Sequence, residues 1–561
     1  MQGRKRPMPV GIEDFKKLVQ GEYYFVDKTR FIRDLLDLRT DVTLITRPRR
    51  FGKTLALSML QYFFTLENAE ENRKLFEGLD IEKAGEEYMR EQGTRPVVFL
   101  SLKEVQRPAY ASMLAMLSLT LQELYTRHRQ LLDDSIPDEP QAEYARRILA
   151  GTGSEEDMMV SLKYLMAYLE RYYGKKPVLL LDEYDAPILS AWENGYYKEC
   201  IGFMRGFLGS ALKTNPALGF AMLTGVTRIS KESIFSGLNN LKVCSVLSNA
   251  YSDSFGFTRE EVASLMGECG VSDKMSEMKQ WYDGYRFGKS EIYNPWSVIR
   301  YIDEGCVFQR YWINVSGNSI LSVLLEHVDE SRQEELRRLL SFRDASVEAL
   351  VDEGIVYSDI REDENALYMM LLTTGYLKSV EMWQDRRGRW WCRLQIPNRE
   401  VLLAYEDEIL GKVVGKGNRV TLFEMLDAMM TGNVTLFCKS LTKLLRDIVS
   451  YHDIAHPETF YHGLMLGLTV LMEGEYRVES NRESGYGRFD IAFFPLKAGT
   501  PGVILELKSA KSEEELEQQA GAALRQIEEK EYIAELSRQG VKETWKYGIS
   551  FHGKRVCMER G

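Results

Sequence analysis

Cysteine and histidine are scarce in this chain of 561 residues, with seven of one and six of the other. The cysteines are odd in number, scattered and never spaced as CxxC, which argues against a disulfide framework or a zinc site and points to a reducing compartment. Long apolar runs are missing too: nothing approaches the 18 residues of a membrane span, and the basic start MQGRKRPMPVGIEDF is followed by no apolar stretch of a secretion signal. A cytoplasmic protein with no membrane partner is expected. Basic residues are not in excess either. The 72 Lys and Arg face 83 Asp and Glu, a net charge of −11, so no overall positive footprint advertises nucleic acid, although local patches remain open. Repeats, low-complexity tracts and Pro/Gly-rich linkers are absent.

What is present is an ordinary globular composition, 44% hydrophobic and 28% charged, over a length too great for one core. Residues 1–60 reverse the global charge, with thirteen Lys and Arg against seven Asp and Glu, densest in TRPRRFGKT. The apolar run Val42–Ile45, a short loop and the helix-like TLALSMLQYFF read as strand, loop and helix. Further buried-strand candidates at Val97–Leu100, Val178–Leu181 and Phe220–Leu223, separated by helical stretches, predict a parallel sheet covered by helices. Beyond about residue 300 helical patterns dominate, around Ile320–Leu325, Leu336–Leu340 and Leu422–Leu445. A hairpin turning at Gly388 interrupts them, and an apolar helix at Tyr461–Met472 precedes strands at Tyr476–Val478, Phe489–Phe494 and Val503–Leu507. The expected domains are 1–300, an α/β phosphate-loop domain; 301–438, mainly helical with a winged-helix character; and 439–561, a second α/β domain.

Within TRPRRFGKT, Gly52, Lys53 and Thr54 fit the end of a GxxxxGK[ST] phosphate loop. There, backbone N–H groups cradle phosphates, the lysine reaches the β and γ oxygens and the hydroxyl holds Mg²⁺. The first glycine is replaced by Arg47, whose side chain restricts the loop, while Arg49 and Arg50 add charge for phosphate binding. The bland alternative is a solvated basic turn. Against it stands the strand Val178–Leu181, which delivers Asp182 and Glu183 where open α/β sheets bind ligands. Asp182 suits the ordering of Mg²⁺ and Glu183 the polarising of an attacking water. Thr224 and Arg228, after Phe220–Leu223, suit sensing of a γ-phosphate, with a structural arginine as the alternative.

These segments resemble the AAA-ATPase-like family: PVGIEDFKKL, YYFVDKTRFI, RPRRFGKT, LLLDEYDAPI, LTGVTRISKESIFSGLNNL and WYDGYRFG followed by IYNPWSV. The resemblance spans residues 8–300 and implies ATP binding. In that family the RPRRFGKT form of the loop is usual. The WYDGYRFG block (Trp281, Tyr282, Gly284, Tyr285) suggests no chemistry and reads as an aromatic packing corner.

Near the C-terminus, SNRESGYGRFDIAFFP precedes GVILELKSAK. On a strand, Glu506 and Lys508 share one face and Leu505 and Leu507 the other. With Asp490 from a neighbouring strand, two carboxylates to hold Mg²⁺ and an ammonium to act on water fit metal-assisted phosphodiester hydrolysis. An ExK on an exposed strand is otherwise a plain ion pair. The pattern resembles the PD-(D/E)XK nuclease superfamily, and YHGLMLGL, SNRESGYGRFD, LELKSA and AALRQIEEKEY are similar to the nuclease-like domain that follows AAA-ATPase-like domains. The resemblance implies metal at Asp490 and Glu506, Lys508 acting on water, and support from Gln526. Glu483 offers another acid, and His462 reads either as part of the site or as packed in the core.

In the middle region Arg386, Arg387 and Arg389 beside Trp390 and Trp391 suit a nucleic-acid-touching wing, with an exposed charged turn over buried indoles as the preferred expectation. The whole reads as an ATP-binding protein and ATPase coupled to a Mg²⁺-dependent nuclease acting on nucleic acid, DNA foremost. A role in defence against foreign or mobile DNA and self-association are the family-level expectations. The competing reading is a nucleotide-gated interaction protein whose nuclease-like module is catalytically silent.

Overall fold

The computed structural model describes residues 6–129, 136, 138–213, 215–228, 235, 241–312, 339, 346–351, 364–405, 419–448, 461–462, 465, 472, 476–480, 483–484, 487–497 and 499–561. The helices expected at Ile320–Leu325 and Leu336–Leu340, and most of that at Tyr461–Met472, lie outside them. The chain forms two compact units, Met1–Val328 with Ser346–Val401, and Asp329–Ala345 with Leu402–Gly561. Among the described residues no helix is long and apolar enough to cross a membrane.

In the first unit β1 (Val42–Thr46), β2 (Val97–Ser101), β3 (Val178–Asp182), β4 (Phe220–Gly225) and β5 (Leu241–Cys244) form one parallel sheet in the order β2-β3-β4-β1-β5. Every residue of β1 and β3 is buried, which requires cover on both faces and explains their unbroken apolar sequences. Edge strands are only partly buried, and β5, with the sequence Leu-Lys-Val-Cys, carries no run that would have announced it. Long helices such as Lys53–Phe64, Tyr110–Arg127 and Glu155–Tyr173 connect the strands. Ser154 and Asp157 form a capping box at the start of the last of these, and Gly174 ends it in the left-handed conformation.

The same unit holds the hairpin β6 (Tyr285–Phe287) and β7 (Ser290–Ile292), and an antiparallel sheet β8-β10-β9 made of β8 (Val347–Leu350), β9 (Lys378–Gln384) and β10 (Trp390–Gln395). Among the described residues the rest of the middle region is mostly helical, with helices Glu364–Thr374, Arg419–Met430 and the start of Val434–Ile448. The turn at Gly388 is where the sequence places it. Neither of its indoles is fully buried, however: Trp391 is half-buried, and Trp390 pairs with Gln384 across the hairpin end and is 48% exposed.

In the second unit β11 (Tyr476–Ser480), β14 (Ile491–Pro495), β15 (Gly502–Ser509), β16 (Thr544–His552) and β17 (Arg555–Arg560) make a mixed sheet in that order, while β12 (Glu483–Ser484) and β13 (Gly487–Arg488) form a separate ribbon. Only β15 and β16 run parallel, and the helices Leu516–Glu529 and Ile533–Arg538 make the crossover. Alternation sorts β15 cleanly. Leu505 and Leu507 enter the core with the helices Arg419–Met430 and Val434–Ile448, whereas Ile504 packs on the opposite face with Ile527 and Tyr532. Gly548 allows that second face to close, since a Cβ there would stand 2.1 Å from the carbonyl oxygen of Ala520.

Candidate active sites

The phosphate loop leaves the end of β1, and Gly52, at φ 83°, turns the chain into the helix Lys53–Phe64. Arg47 explains why the loop tolerates a side chain in place of its first glycine. The residue is fully buried and its guanidinium points into the protein, donating to the carbonyls of Thr46 (2.8 Å), Cys244 (2.9 Å) and Tyr251 (3.2 Å) while lying over the rings of Phe287 and Phe255. Burial pulls its pKa down to about 10. Its backbone N–H donates to the Gly225 carbonyl, tying the loop to β4. Phe51 packs against Tyr285 and Phe287, so the WYDGYRFG block is a packing corner for the loop, as its aromatic content suggested.

Lys53 is only 5% exposed, and its ammonium donates to the carbonyls of Arg47 and Pro48 at 2.9 Å each. Burial lowers its pKa, against the opposing charges of Glu183, Asp182 and Asp185. The sheet brings the acids to it. Asp182, at the end of β3, accepts from the Thr54 hydroxyl at 2.8 Å and from the Thr224 hydroxyl at 2.6 Å, joining loop, acid and β4 in one cluster. Glu183 follows at φ 49°, a left-handed conformation uncommon for a non-glycine residue. Its carboxyl pKa is raised by burial, with Lys53 opposing and Asp182 and Asp185 adding to the rise.

Asp185 is a residue that the motifs do not single out, and its Oδ2 accepts from Val226 N, Thr227 N and the Thr227 hydroxyl at 2.9, 2.7 and 2.9 Å. It clamps the end of β3 to the end of β4. Gly225 is the signal that could have revealed it: a Cβ there would lie 2.6 Å from Asp185 Oδ1. Arg228 is half-buried three residues beyond β4. Arg49 and Arg50 line a cleft of 370 Å³ together with Gly52, Lys53, Thr54 and Glu183. Arg50 lies 4.2 Å over the Trp296 ring and the Arg49 carbonyl accepts from the Trp312 indole at 3.1 Å. Ile12, Phe25, Val26, Phe257 and Ile299 line the cleft's apolar part. A charged end that offers loop N–H groups and a helix N-terminus suits a polyphosphate. The Thr54 hydroxyl and Asp182 carboxylate, all oxygen donors, fit Mg²⁺.

In the second unit Asp490 stands one residue before β14, next to the paired Ile491 and Leu505, which puts it beside Glu506. Asp490 Oδ2 accepts from Leu507 N at 2.8 Å. Glu506 is 3% exposed, and its Oε1 accepts from the Gln526 side-chain amide, which also reaches the Tyr532 hydroxyl at 3.3 Å. Burial, and after it the Asp490 charge, pushes the Glu506 carboxyl up to about 8, with Lys508 opposing. Among the described residues Glu506 Oε2 is buried with no hydrogen-bond partner. An orphaned carboxylate oxygen beside a second acid fits a cation, and the donors are again all oxygen. Lys508 is half-buried two residues along the strand. His462 Nε2 lies 3.2 Å from the Asp490 carbonyl oxygen, so the histidine borders the site. The Glu483 side chain lies outside the described residues. No group of three or more His, Cys, Asp or Glu that could hold a metal occurs among the described residues.

The first unit thus contains a phosphate-loop α/β fold and the second a mixed sheet with a paired-acid site. Residues 9–235 match the family model described as "Predicted AAA-ATPase", and residues 456–560 match that of the PD-(D/E)XK nuclease superfamily. The chain is 28% identical over 484 residues to "Uncharacterized protein in vnfD 5'region" of Azotobacter chroococcum mcd 1, covering 84% of this chain and 85% of that protein. No solved structure matches.

Proposed function

We propose that the chain is an ATP-binding ATPase coupled to a Mg²⁺-dependent nuclease, organised as a phosphate-loop domain (1–300), a mainly helical middle domain (301–438) and a nuclease-like domain (439–561). The nucleotide half is carried by one observation, the bond from Thr54 to Asp182 that unites loop and acid across 128 positions of sequence. Lys53, Arg49 and Arg50 face the phosphates, Thr224 and Arg228 monitor the terminal one, and Glu183 accepts the proton of an attacking water. The nuclease half is supported by the unpartnered Glu506 oxygen beside Asp490. Mg²⁺ would be held by Thr54 and Asp182 in the first site and by Asp490 and Glu506 in the second, where it supplies Lewis-acid stabilisation of phosphate charge and a more acidic water. Lys508 would orient an attacking water, and Gln526 fixes Glu506.

Incubating the purified protein with Mg²⁺ and single- or double-stranded DNA and RNA, with and without ATP, tests the reading. Cleavage is expected, and it should disappear in Asp490→Ala. Cleavage persisting in that variant would place the activity elsewhere. Glu183→Gln should bind ATP as the parent does and turn it over at least about a hundredfold more slowly, the contribution of a positioned base. Equal turnover removes Glu183 from its role.

A further inference from the structure

We propose that the tip of the β9–β10 hairpin binds single-stranded nucleic acid, with Arg386 and Arg387 on backbone phosphates and the Trp390 indole stacked on a base. The turn is pre-shaped. Asp385 accepts from Arg387 N (2.8 Å), Arg389 N (3.0 Å), the Arg389 guanidinium (2.8 Å) and the Trp391 indole (3.2 Å), so one carboxylate holds the whole tip and neutralises Arg389. Arg393 is likewise flanked by Glu381 at 2.6 Å and Glu348 at 3.1 Å. Among the described residues no carboxylate pairs with Arg386 or Arg387, and both are exposed. A Cβ on Gly388 would meet nothing within 4 Å, so the tip is open to its surroundings.

Two unneutralised guanidinium forks next to an exposed indole on a rigid ribbon match a phosphodiester strand with unstacked bases. An acidic peptide would satisfy the arginines and leave the indole in water. A duplex keeps its base faces covered, so it too would leave Trp390 without a partner. This contact lies in the first unit and is distinct from the Asp490 site. Measured in EDTA without nucleotide, it can fail while the ATPase and nuclease readings stand, and the reverse.

The test is the binding of a fluorescein-labelled single-stranded oligonucleotide and of its duplex to the full chain, by anisotropy across a salt series. The double variant Arg386→Ala/Arg387→Ala should weaken both and reduce the salt slope by about 1.4, the value for two phosphate contacts on a single strand. Arg386→Lys/Arg387→Lys should restore the slope, which also controls for folding. Trp390→Ala should weaken the single strand at least about fivefold and leave the duplex unchanged. An unchanged slope in the alanine pair overturns the proposal. So does equal weakening of strand and duplex by Trp390→Ala, or displacement of the oligonucleotide by polyglutamate at equal charge.

Discussion

The Lys53 ammonium is buried and rests on two loop carbonyls. That burial decides what Lys53→Ala does. Besides losing ATP affinity by at least about tenfold, or 1.4 kcal/mol, the variant leaves two carbonyls without their donor and should be less stable by about 1–3 kcal/mol. Calorimetric titration and a denaturant melt read the two effects separately. Glu506 gives a pH signature. Its carboxyl titrates near 8 in the folded protein against an ordinary value of 4.5. Between those values only the folded state keeps the proton, so this group's contribution to stability is full below about pH 4.5 and falls as pH rises towards 8. Glu506→Gln should flatten that slope in unfolding titrations. Mg²⁺ affinity should rise over the same window with release of a proton, seen as a buffer-dependent heat, since a metal needs the carboxylate.

At the scale of elements, Arg47 shows why a motif read by its glycines understates this loop. Restoring the general pattern with Arg47→Gly should not improve the site. It strips donors from the carbonyls of Thr46, Cys244 and Tyr251 and should lower stability by about 2–4 kcal/mol, checked by melting temperature and chemical denaturation. The two five-stranded sheets were legible where burial writes a simple pattern, as in the continuous apolar β1 and β3 and the alternation of β15 that separates Glu506 from Leu505. So was the meeting of Thr54 with Asp182, because strand ends of a parallel sheet share an edge. The Asp185 clamp and the β5 strand were not. Asp185 acts through backbone N–H groups of Val226 and Thr227, which any sequence possesses, and β5 is an edge strand of mixed composition. The outward indole of Trp390 was missed for a similar reason: its direction depends on how Asp385 closes the turn.

For the molecule as a whole, the two proposed activities predict separable effects. Asp490→Ala should abolish cleavage and leave ATP turnover within about twofold of the parent, whereas Lys53→Ala should remove ATP turnover. Any loss of cleavage in Lys53→Ala then measures how far the nuclease depends on nucleotide. Removing the Asp490 charge should also preserve or strengthen nucleic-acid binding, because one fewer carboxylate repels phosphates.

The parallel pairing of β15 with β16 has a consequence for synthesis. On the ribosome the strand bearing Glu506 emerges before residues 510–543, and only after them comes β16, its neighbour on one side. Gln526, which holds Glu506, sits on the helix between. A nascent chain therefore carries a finished phosphate loop long before it owns a finished acid pair, because the Asp490–Glu506 pair gains its full surroundings only once the helix bearing Gln526 and then β16 have emerged.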